Sequence, residues 1–216
     1  MLRKSLLAVL VSGVMVSDLQ AAESQSNGYL FGNIGQADAD TPDFVRGLDS
    51  ELGAIANDAG LIFGSDYDGK DSAFKIGAGI QLNRYVGLEF QYIDLGTASY
   101  KAELSDGFDT LSAKIDGDTD GFGANVVGTL PLDRFKLFGK VGYHQLKTEA
   151  KQKVSMAGVG SLTESDSTTE WVTSFGVGAS YAFTPQIELV AEYEQYRDVA
   201  DEYDVDFGSI GLRYNF

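Results

Sequence analysis

Apolar and polar residues alternate with a period of two along most of the chain, and the alternating runs are separated by Gly, Asn, Asp and Pro. In the clearest run, Phe74 to Leu82, every second residue is apolar and the intervening residues are Lys, Gly or Gln. This alternation is typical of β-strands whose two faces meet different surroundings. Further runs occupy 86–92, 122–130, 135–144, 171–183, 187–194 and 209–216. Together with a weaker run at 28–36, whose facing the pattern does not assign, they predict an all-β protein of eight strands.

The connections between these strands alternate between short and long. Tight turns are predicted around Asn83, at 131–134 and at 184–186. Long polar stretches occupy the other connections, at 38–71, 101–118, 148–168 and 198–204. Short turns at one edge and long loops at the other predict an up-and-down antiparallel meander.

The composition of the two strand faces indicates a membrane barrel. One face of each run is apolar or aromatic, whereas the other carries Gly, Ser, Gln, Glu, Lys or Arg. A soluble barrel needs large apolar residues inside, but a transmembrane barrel has lipid outside and a polar interior. Lipid also requires the sheet to close, because unpaired backbone groups in hydrocarbon are costly. We therefore predict an eight-stranded antiparallel up-and-down transmembrane β-barrel with short periplasmic turns and long extracellular loops.

Aromatic residues gather near the short-turn ends of the strands. They are Tyr85, Phe135, Tyr181, Phe183, Tyr214 and Phe216. This placement is typical of the aromatic girdle at a membrane interface, although ordinary strand packing explains any one of them equally well.

Three segments resemble the OmpA-like transmembrane domain and related small outer-membrane β-barrels. They are residues 72–96, 118–149 and 187–199, with "VGLEFQY" and "GTLPL" as the most specific stretches. The resemblance implies anchoring in the bacterial outer membrane, contact with lipid and lipopolysaccharide, and recognition of the carboxy-terminal Phe216 strand by the barrel assembly machinery. OmpA proper continues into a peptidoglycan-binding domain, whereas this chain stops at the last strand, so wall tethering is not implied. The oligomeric state stays open, with a monomer favoured.

Charge and composition exclude several classes of function. Acidic residues outnumber basic residues 32 to 16, and the net charge of −16 argues against binding of nucleic acid or of anionic membrane surfaces. The 216 residues suit one domain. The absence of cysteine excludes disulfides and thiolate chemistry.

The amino-terminal segment has the layout of a secretory signal peptide. Basic residues precede an apolar run from Leu6 to Val16, and small residues follow. The apolar run is shorter than the roughly 20 residues of a membrane-spanning helix. We predict cleavage after Ala21 or Ala22, so that 1–22 is the signal peptide and 23–216 the barrel domain.

Seven charged residues are predicted to face the lumen of the barrel. They are Lys75, Glu89, Lys140, Glu188, Glu192, Glu194 and Arg213. Isolated charges in a narrow interior must pair, and an eight-stranded barrel is just wide enough for side chains. We predict that ion pairs plug the lumen. In OmpA-like barrels the glutamate that Glu89 matches belongs to such a network, and the matches of Lys140 and Glu192 are looser. The alternative is a switch between pairings that opens a narrow, low-conductance pore.

Catalysis is not predicted. Some eight-stranded outer-membrane barrels modify lipid A and carry a histidine two residues from a serine, whereas here Leu146 stands at that distance from His144. A lone histidine is more often a structural or girdle residue than a general base. We therefore predict no enzymatic activity and no cofactor.

The first long loop is acidic and contains a predicted helix. Thr41 stands at the N-cap and Pro42 at the first helical position. Apolar residues then recur at helical spacing, at Phe44, Leu48, Leu52 and Ile55. They predict an amphipathic helix over residues 41–57. Such a helix either binds a partner, as in an adhesin or ligand receptor, or lies on the barrel rim or on lipopolysaccharide.

The stretch "DGDTDG", which begins at Asp116, is the opening of many calcium-binding loops. An EF-hand starting there needs a glutamate at its twelfth position, where this chain has Val127. Asp116, Asp118 and Asp120 alternate in phase with the lipid-facing Phe122, so we predict them at or beyond the lipid headgroups, where the fourth strand leaves the membrane. No metal site is predicted, and weak binding of divalent cations is the alternative.

Overall fold

The computed structural model describes residues 27–156 and 160–216, so the predicted signal peptide lies outside the described residues. This part of the chain forms nine strands and one helix. In chain order they are β1 (Asn27–Ala39), α1 (Asp43–Ala59), β2 (Ile62–Asp68), β3 (Lys70–Gln81), β4 (Val86–Ser105), β5 (Thr110–Leu132), β6 (Phe135–Met156), β7 (Gly160–Ala182), β8 (Ile187–Val199) and β9 (Tyr203–Asn215).

Eight of these strands close into an antiparallel ring. The order is β3, β1, β9, β8, β7, β6, β5 and β4, and β4 pairs back with β3. The first and last strands pair along most of their length, from Tyr29 opposite Asn215 to Ala39 opposite Val205. The predicted eight-stranded up-and-down barrel is therefore confirmed.

The ninth strand, β2, was not predicted. It lies inside the predicted first loop and pairs with Ser99 to Ser105 in the outer part of β4. The first part of β4 in chain order, Gly87 to Asp94, pairs with β3 instead. A bulge between Asp94 and Thr97 separates the two parts of β4. Both faces of β2 carry polar residues, so alternation did not mark it as a strand.

Strands β4 to β7 are much longer than a membrane requires. They contain 20 to 23 residues, whereas about 9 to 11 residues suffice for one crossing. Most residues in the predicted loops at 101–118 and 148–168 therefore continue the strands as a tall wall beyond the membrane, and those loop boundaries are wrong. Above the membrane the outer face of a strand meets water instead of lipid, which removes the alternation that marks a membrane strand in sequence.

The apolar positions of the membrane strands point outward, as the alternation predicts. In β3 and β4, for example, Ile76, Ile80, Leu88 and Phe90 are 41 to 48% exposed. The inner face differs from the prediction, because it holds large apolar side chains as well as small and polar ones. Those that are nearly fully buried there include Tyr29, Phe31, Ile93, Phe138 and Phe207.

Helix α1 occupies nearly the predicted range. Its N-cap residue is Pro42, and no side chain caps it, so the capping role predicted for Thr41 is wrong. The helix ends at Gly60, whose left-handed backbone, with φ of 69°, suits glycine and lets its N–H reach the carbonyl of Asn57. No helix among the described residues is long and apolar enough to cross a membrane.

One face of α1 packs against the inner side of the tall wall. Val45 is buried against β4, and the predicted Leu48 and Leu52 contact the same apolar cluster. Phe44 and Ile55 were predicted to share this face, but they are 44% and 57% exposed. The buried face is therefore rotated from the predicted one, because β4 and β2 contact the helix from one side only.

We predict that Gly142→Ala destabilises the barrel, whereas Gly139→Ala on the same strand does not. A Cβ at Gly142 would lie 2.0 Å from Asn125 Oδ1 and 2.5 Å from Ser174 Oγ, while the nearest atom to a Cβ at Gly139 is 3.8 Å away. Overpacking of this kind typically costs about 1 to 3 kcal/mol. The measurement is the midpoint of denaturant unfolding in lipid vesicles, with heat-modifiable gel mobility as the readout of the folded barrel. Equal midpoints for the two variants would contradict the described packing.

Candidate functional site: the lumen and its outer vestibule

A belt of buried ion pairs crosses the lumen. Lys75 of β3 lies 2.8 Å from Glu192 of β8 and also contacts Glu194. Lys140 of β6 lies 2.8 Å from Glu192 and 2.6 Å from Glu89 of β4. The side chains of all five are at most 1% exposed. Each charge is therefore neutralised by its neighbours rather than by water.

Glu89 extends this belt to the first and last strands. Its Oε1 accepts hydrogen bonds from Arg213 of β9 at 3.0 Å and from the Tyr29 hydroxyl of β1 at 2.9 Å. The Arg213 guanidinium also lies over the Tyr29 ring, 4.3 Å from its centroid. The ion-pair belt thus links strands β1, β3, β4, β6, β8 and β9 across the barrel.

A second ionic group lies nearer the short turns. Glu188 contacts Lys136 and accepts hydrogen bonds from Ser180 at 2.9 Å and Asn215 at 3.0 Å. All seven predicted interior charges lie in the lumen, and none is more than 7% exposed. Lys136 was not among them. Lys136 pairs with Glu188, so the belt and this second group together contain four glutamates and four cations.

A neutral polar layer lies on the extracellular side of the belt. The Gln91 side-chain nitrogen donates to the Tyr196 hydroxyl at 3.1 Å and lies 3.2 Å from His144 Nε2. The Tyr196 hydroxyl in turn donates to Glu194 at 3.1 Å. These three residues connect the ion-pair belt to the apolar residues above it.

An apolar layer fills the lumen beyond this point. It consists of Ala37, Ala39, Ala73, Ile93, Leu95, Leu146, Val172, Tyr196, Val199, Val205 and Phe207. This layer was not predicted, although Ile93 and Leu95 lie in phase with the inward-facing Glu89 and Gln91. The alternating position of Ile93 and Leu95 was the sequence signal from which the layer could have been predicted. The side chains of this apolar layer carry no charge.

A small cavity, which we call the vestibule, opens outside the apolar layer. Its volume is about 190 Å³, and it lies between the start of α1, the inner face of the tall wall and the β8–β9 connection. Ala98 and Tyr203 line it and also pack on the apolar layer, which forms its floor. Val45 and Tyr100 line its side. The vestibule is thus open to the exterior and closed toward the membrane.

A closed β-ring with a lipid-compatible outer face and a filled, charge-paired lumen is the architecture of an outer-membrane barrel. The family model described as outer membrane protein beta-barrel domain matches residues 6–216. The chain belongs to this family. It is therefore an outer-membrane β-barrel protein of the bacterial cell envelope, and the sequence-based resemblance is confirmed at this level.

The chain is similar to solved structures of several outer-membrane proteins. The crystal structure of Ail, the attachment invasion locus protein of Yersinia pestis, is 16% identical, with 89% of this chain and 100% of that chain covered and a TM-score of 0.51. Neisserial surface protein A is 15% identical, with 88% and 97% covered and a TM-score of 0.46. The outer membrane protease OmpT from Escherichia coli is 11% identical, with 92% and 99% covered and a TM-score of 0.39. No curated protein sequence matches the chain.

Aromatic residues of this outer-membrane barrel lie on its outer surface near the short turns. The six predicted girdle residues are all found there: Tyr85, Phe135, Tyr181, Phe183, Tyr214 and Phe216. Neighbouring rings are in contact, as between Phe135 and Tyr181, whose centroids are 4.8 Å apart. A further pair toward the extracellular side was not predicted, in which Tyr143 stacks on Trp171 at 5.0 Å. Girdles require aromatic residues at both interfaces, and the girdle role of these rings stays a prediction.

His144 is fully buried in the lumen of the barrel. Its ring packs edge-on against Tyr196 with centroids 5.2 Å apart, and its Nε2 faces the amide nitrogen of Gln91. This position corrects the alternative that His144 belongs to a girdle on the outer surface. A side-chain amide nitrogen is not a nucleophile that a general base could activate.

The three aspartates of "DGDTDG" each have separate partners on the outer face of the wall. Asp116 accepts hydrogen bonds from Ser99 and Lys114, and Asp120 from Tyr92. The hydrogen bond from Thr97 and a second one from Lys151 lower the pKa of Asp118. No group of three or more metal-ligating side chains converges in the described part of the chain. The β5 strand continues beyond these aspartates to Thr110, and their position at or beyond the lipid headgroups stays a prediction.

We predict that Lys75→Gln strongly destabilises the barrel. The substitution leaves Glu192 and Glu194 sharing one fewer cation in a dry interior, and breaking a buried pair typically costs about 3 to 5 kcal/mol. The matched control is Lys151→Gln, which removes an exposed pair with Asp118 on the outer face and should cost about 0 to 1 kcal/mol. The midpoints of denaturant unfolding in lipid vesicles measure the loss of stability in each variant. Similar losses in the two variants would show that the belt is not the stabilising element.

Proposed function

We propose that this protein is a structural, surface-exposed barrel of OmpA-like type whose lumen is plugged by its own side chains. The observation that supports the proposal is the ion-pair belt, in which Lys75, Lys140 and Arg213 are paired with glutamates at almost zero exposure. The apolar layer outside the belt adds a second closure. Both closures lie within one eight-stranded ring, whose interior holds side chains but little else.

The alternative function is a narrow, low-conductance pore, opened by exchange of ion pairs. Glu192 could take part in such an exchange, because it already contacts both Lys75 and Lys140. It would not open the apolar layer, in which Phe207, Ile93 and Val199 are fully buried. The pore therefore needs two independent rearrangements, which favours the plugged barrel.

We predict that neither the native protein nor Glu89→Gln conducts ions in planar bilayers. Glu89→Gln removes one charge from the belt but leaves the apolar layer intact. Heat-modifiable mobility of the same preparation verifies that the barrel is folded. Discrete conductance steps in the native protein would overturn the plugged lumen, and steps only in Glu89→Gln would show that the belt alone closes it.

We further propose that the protein is not an enzyme. His144 contacts Gln91 and Tyr196 in the lumen, away from the lipid surface where lipid A lies. Expression of the protein should leave the mass spectrum of lipid A unchanged. A new mass that disappears in His144→Gln would contradict this proposal.

The proposed partners are outer-membrane lipid, lipopolysaccharide and the barrel assembly machinery. Phe216 supports the last of these, because it is exposed at the end of β9 and its backbone N–H donates to Gly28 at 3.0 Å, beside the seam of the barrel. Export depends on residues 1–22 acting as a cleaved signal peptide, and a monomer is the favoured state. Both remain predictions.

A further inference from the structure

The vestibule is an apolar cavity of a size suited to a small organic molecule. Its volume of about 190 Å³ compares with the roughly 150 Å³ of an engineered protein cavity that binds benzene. Ala98, Ile115 and Ala150 of the wall and Val45 of α1 line it. Its floor is the apolar layer, so a bound molecule would be retained rather than passed inward.

The lip of the vestibule carries two carboxylates without a cationic partner. Asp166 belongs to β7 and Glu202 to the β8–β9 connection, and both line the cavity and are exposed to solvent. No Lys, Arg or His lines the cavity. Within the described part of the chain neither carboxylate forms an ion pair, in contrast to Asp118 and Asp204.

Neutral tyrosine rings also line the vestibule. The Tyr67 hydroxyl lies 3.2 Å from the carbonyl oxygen of Ala39 and 3.1 Å from that of Asp40, within hydrogen-bond distance of both, and the Tyr100 hydroxyl donates to Asp49. Burial and the hydrogen bond to Asp49 raise the pKa of Tyr100 to about 12, so the ring stays neutral at physiological pH. Neutral aromatic rings attract cations through their faces.

The connection that carries Glu202 has an unusual backbone. Ala200 and Asp201 of this connection, and Asp198 just before it in β8, have φ values of 54°, 56° and 56°, in the left-handed region that residues other than glycine rarely adopt. Ala200 itself lines the vestibule. Such strained positions cluster at sites that hold ligands.

From these features we infer that the vestibule binds a small organic cation with an apolar body, such as an aromatic or alkyl amine. The apolar body fits against Ala98, Ile115 and Ala150, and the positive charge lies at the lip between Asp166 and Glu202. The inference rests on the extracellular placement of the long strands in the proposed function, but not on closure of the lumen.

The test compares three probes that share one aromatic body and differ in charge: phenethylammonium, 2-phenylethanol and phenylacetate. Binding is measured by isothermal titration calorimetry to the protein in nanodiscs of zwitterionic lipid, with empty nanodiscs as the blank. We expect phenethylammonium to bind at least about fivefold more tightly than 2-phenylethanol, and phenylacetate to bind most weakly. The difference in affinity between phenethylammonium and 2-phenylethanol should shrink as salt is added.

Two sets of variants locate the site. Asp166→Asn combined with Glu202→Gln should weaken phenethylammonium binding by roughly two- to tenfold and leave 2-phenylethanol binding unchanged. Ala150→Phe should weaken binding of both probes by filling the cavity. The matched control is Glu164→Gln, which removes a charge from the same exposed strand without lining the vestibule.

Several results would overturn the inference. They are equal binding of the three probes, no binding of phenethylammonium at millimolar concentration, and a cation preference that survives the double substitution. Binding that persists in a folded Ala150→Phe variant would also place the site elsewhere. Conductance recordings are independent of this assay, so failure here is distinct from failure of the plugged-lumen proposal.

Discussion

Closure of the backbone hydrogen-bond ring is the constraint on which the rest of this structure depends. In hydrocarbon an unpaired N–H or C=O is too costly to leave at a sheet edge, and the pairing of β1 with β9 removes the last edge. Once eight strands close, the diameter of the lumen is determined. Every side chain on the inner face must then fit within that diameter, and every inner charge must find its counter-charge there.

The interior solves both problems by dividing into layers. Glutamates and cations occupy the belt and the group near the turns, where each carboxylate has at least one cation. Large rings occupy the remaining space by lying over glycines of the neighbouring strand. A Cβ at Gly178 would come within 2.4 Å of the Phe138 ring, and one at Gly77 within 2.5 Å of the Phe31 ring. These glycines therefore determine where bulk is placed, in addition to keeping the inner face narrow.

The part of the fold that was predictable from sequence is the part in contact with lipid. Alternation located the strand around Ile76 and Ile80 because lipid and lumen demand opposite side chains on successive residues. The same signal placed Glu89 and Lys140 inside, but not their partners, because pairing across the lumen depends on strand register. The Phe31 ring and the apolar layer were missed because alternation was interpreted only as apolar outside and polar inside.

Above the membrane the physical reasons for alternation and closure both disappear. Water satisfies edge groups there, so residues 160–172 of β7 pair only with β6, and β2 pairs only with β4, within the described residues. The inner face of this open wall is apolar where α1 packs on it, which is why the helix turns Val45 inward.

The helix covers only part of that apolar face. The remainder, floored by the apolar layer and bordered by Asp166 and Glu202, is the vestibule. Because no lipid contact or ring closure constrains these residues, the wall is where this barrel has freedom to acquire a binding surface without loss of its membrane fold. The negative charge at the lip of this apolar cavity therefore depends on the side chains of the wall. It is independent of the balanced charges of the ion-pair belt in the lumen.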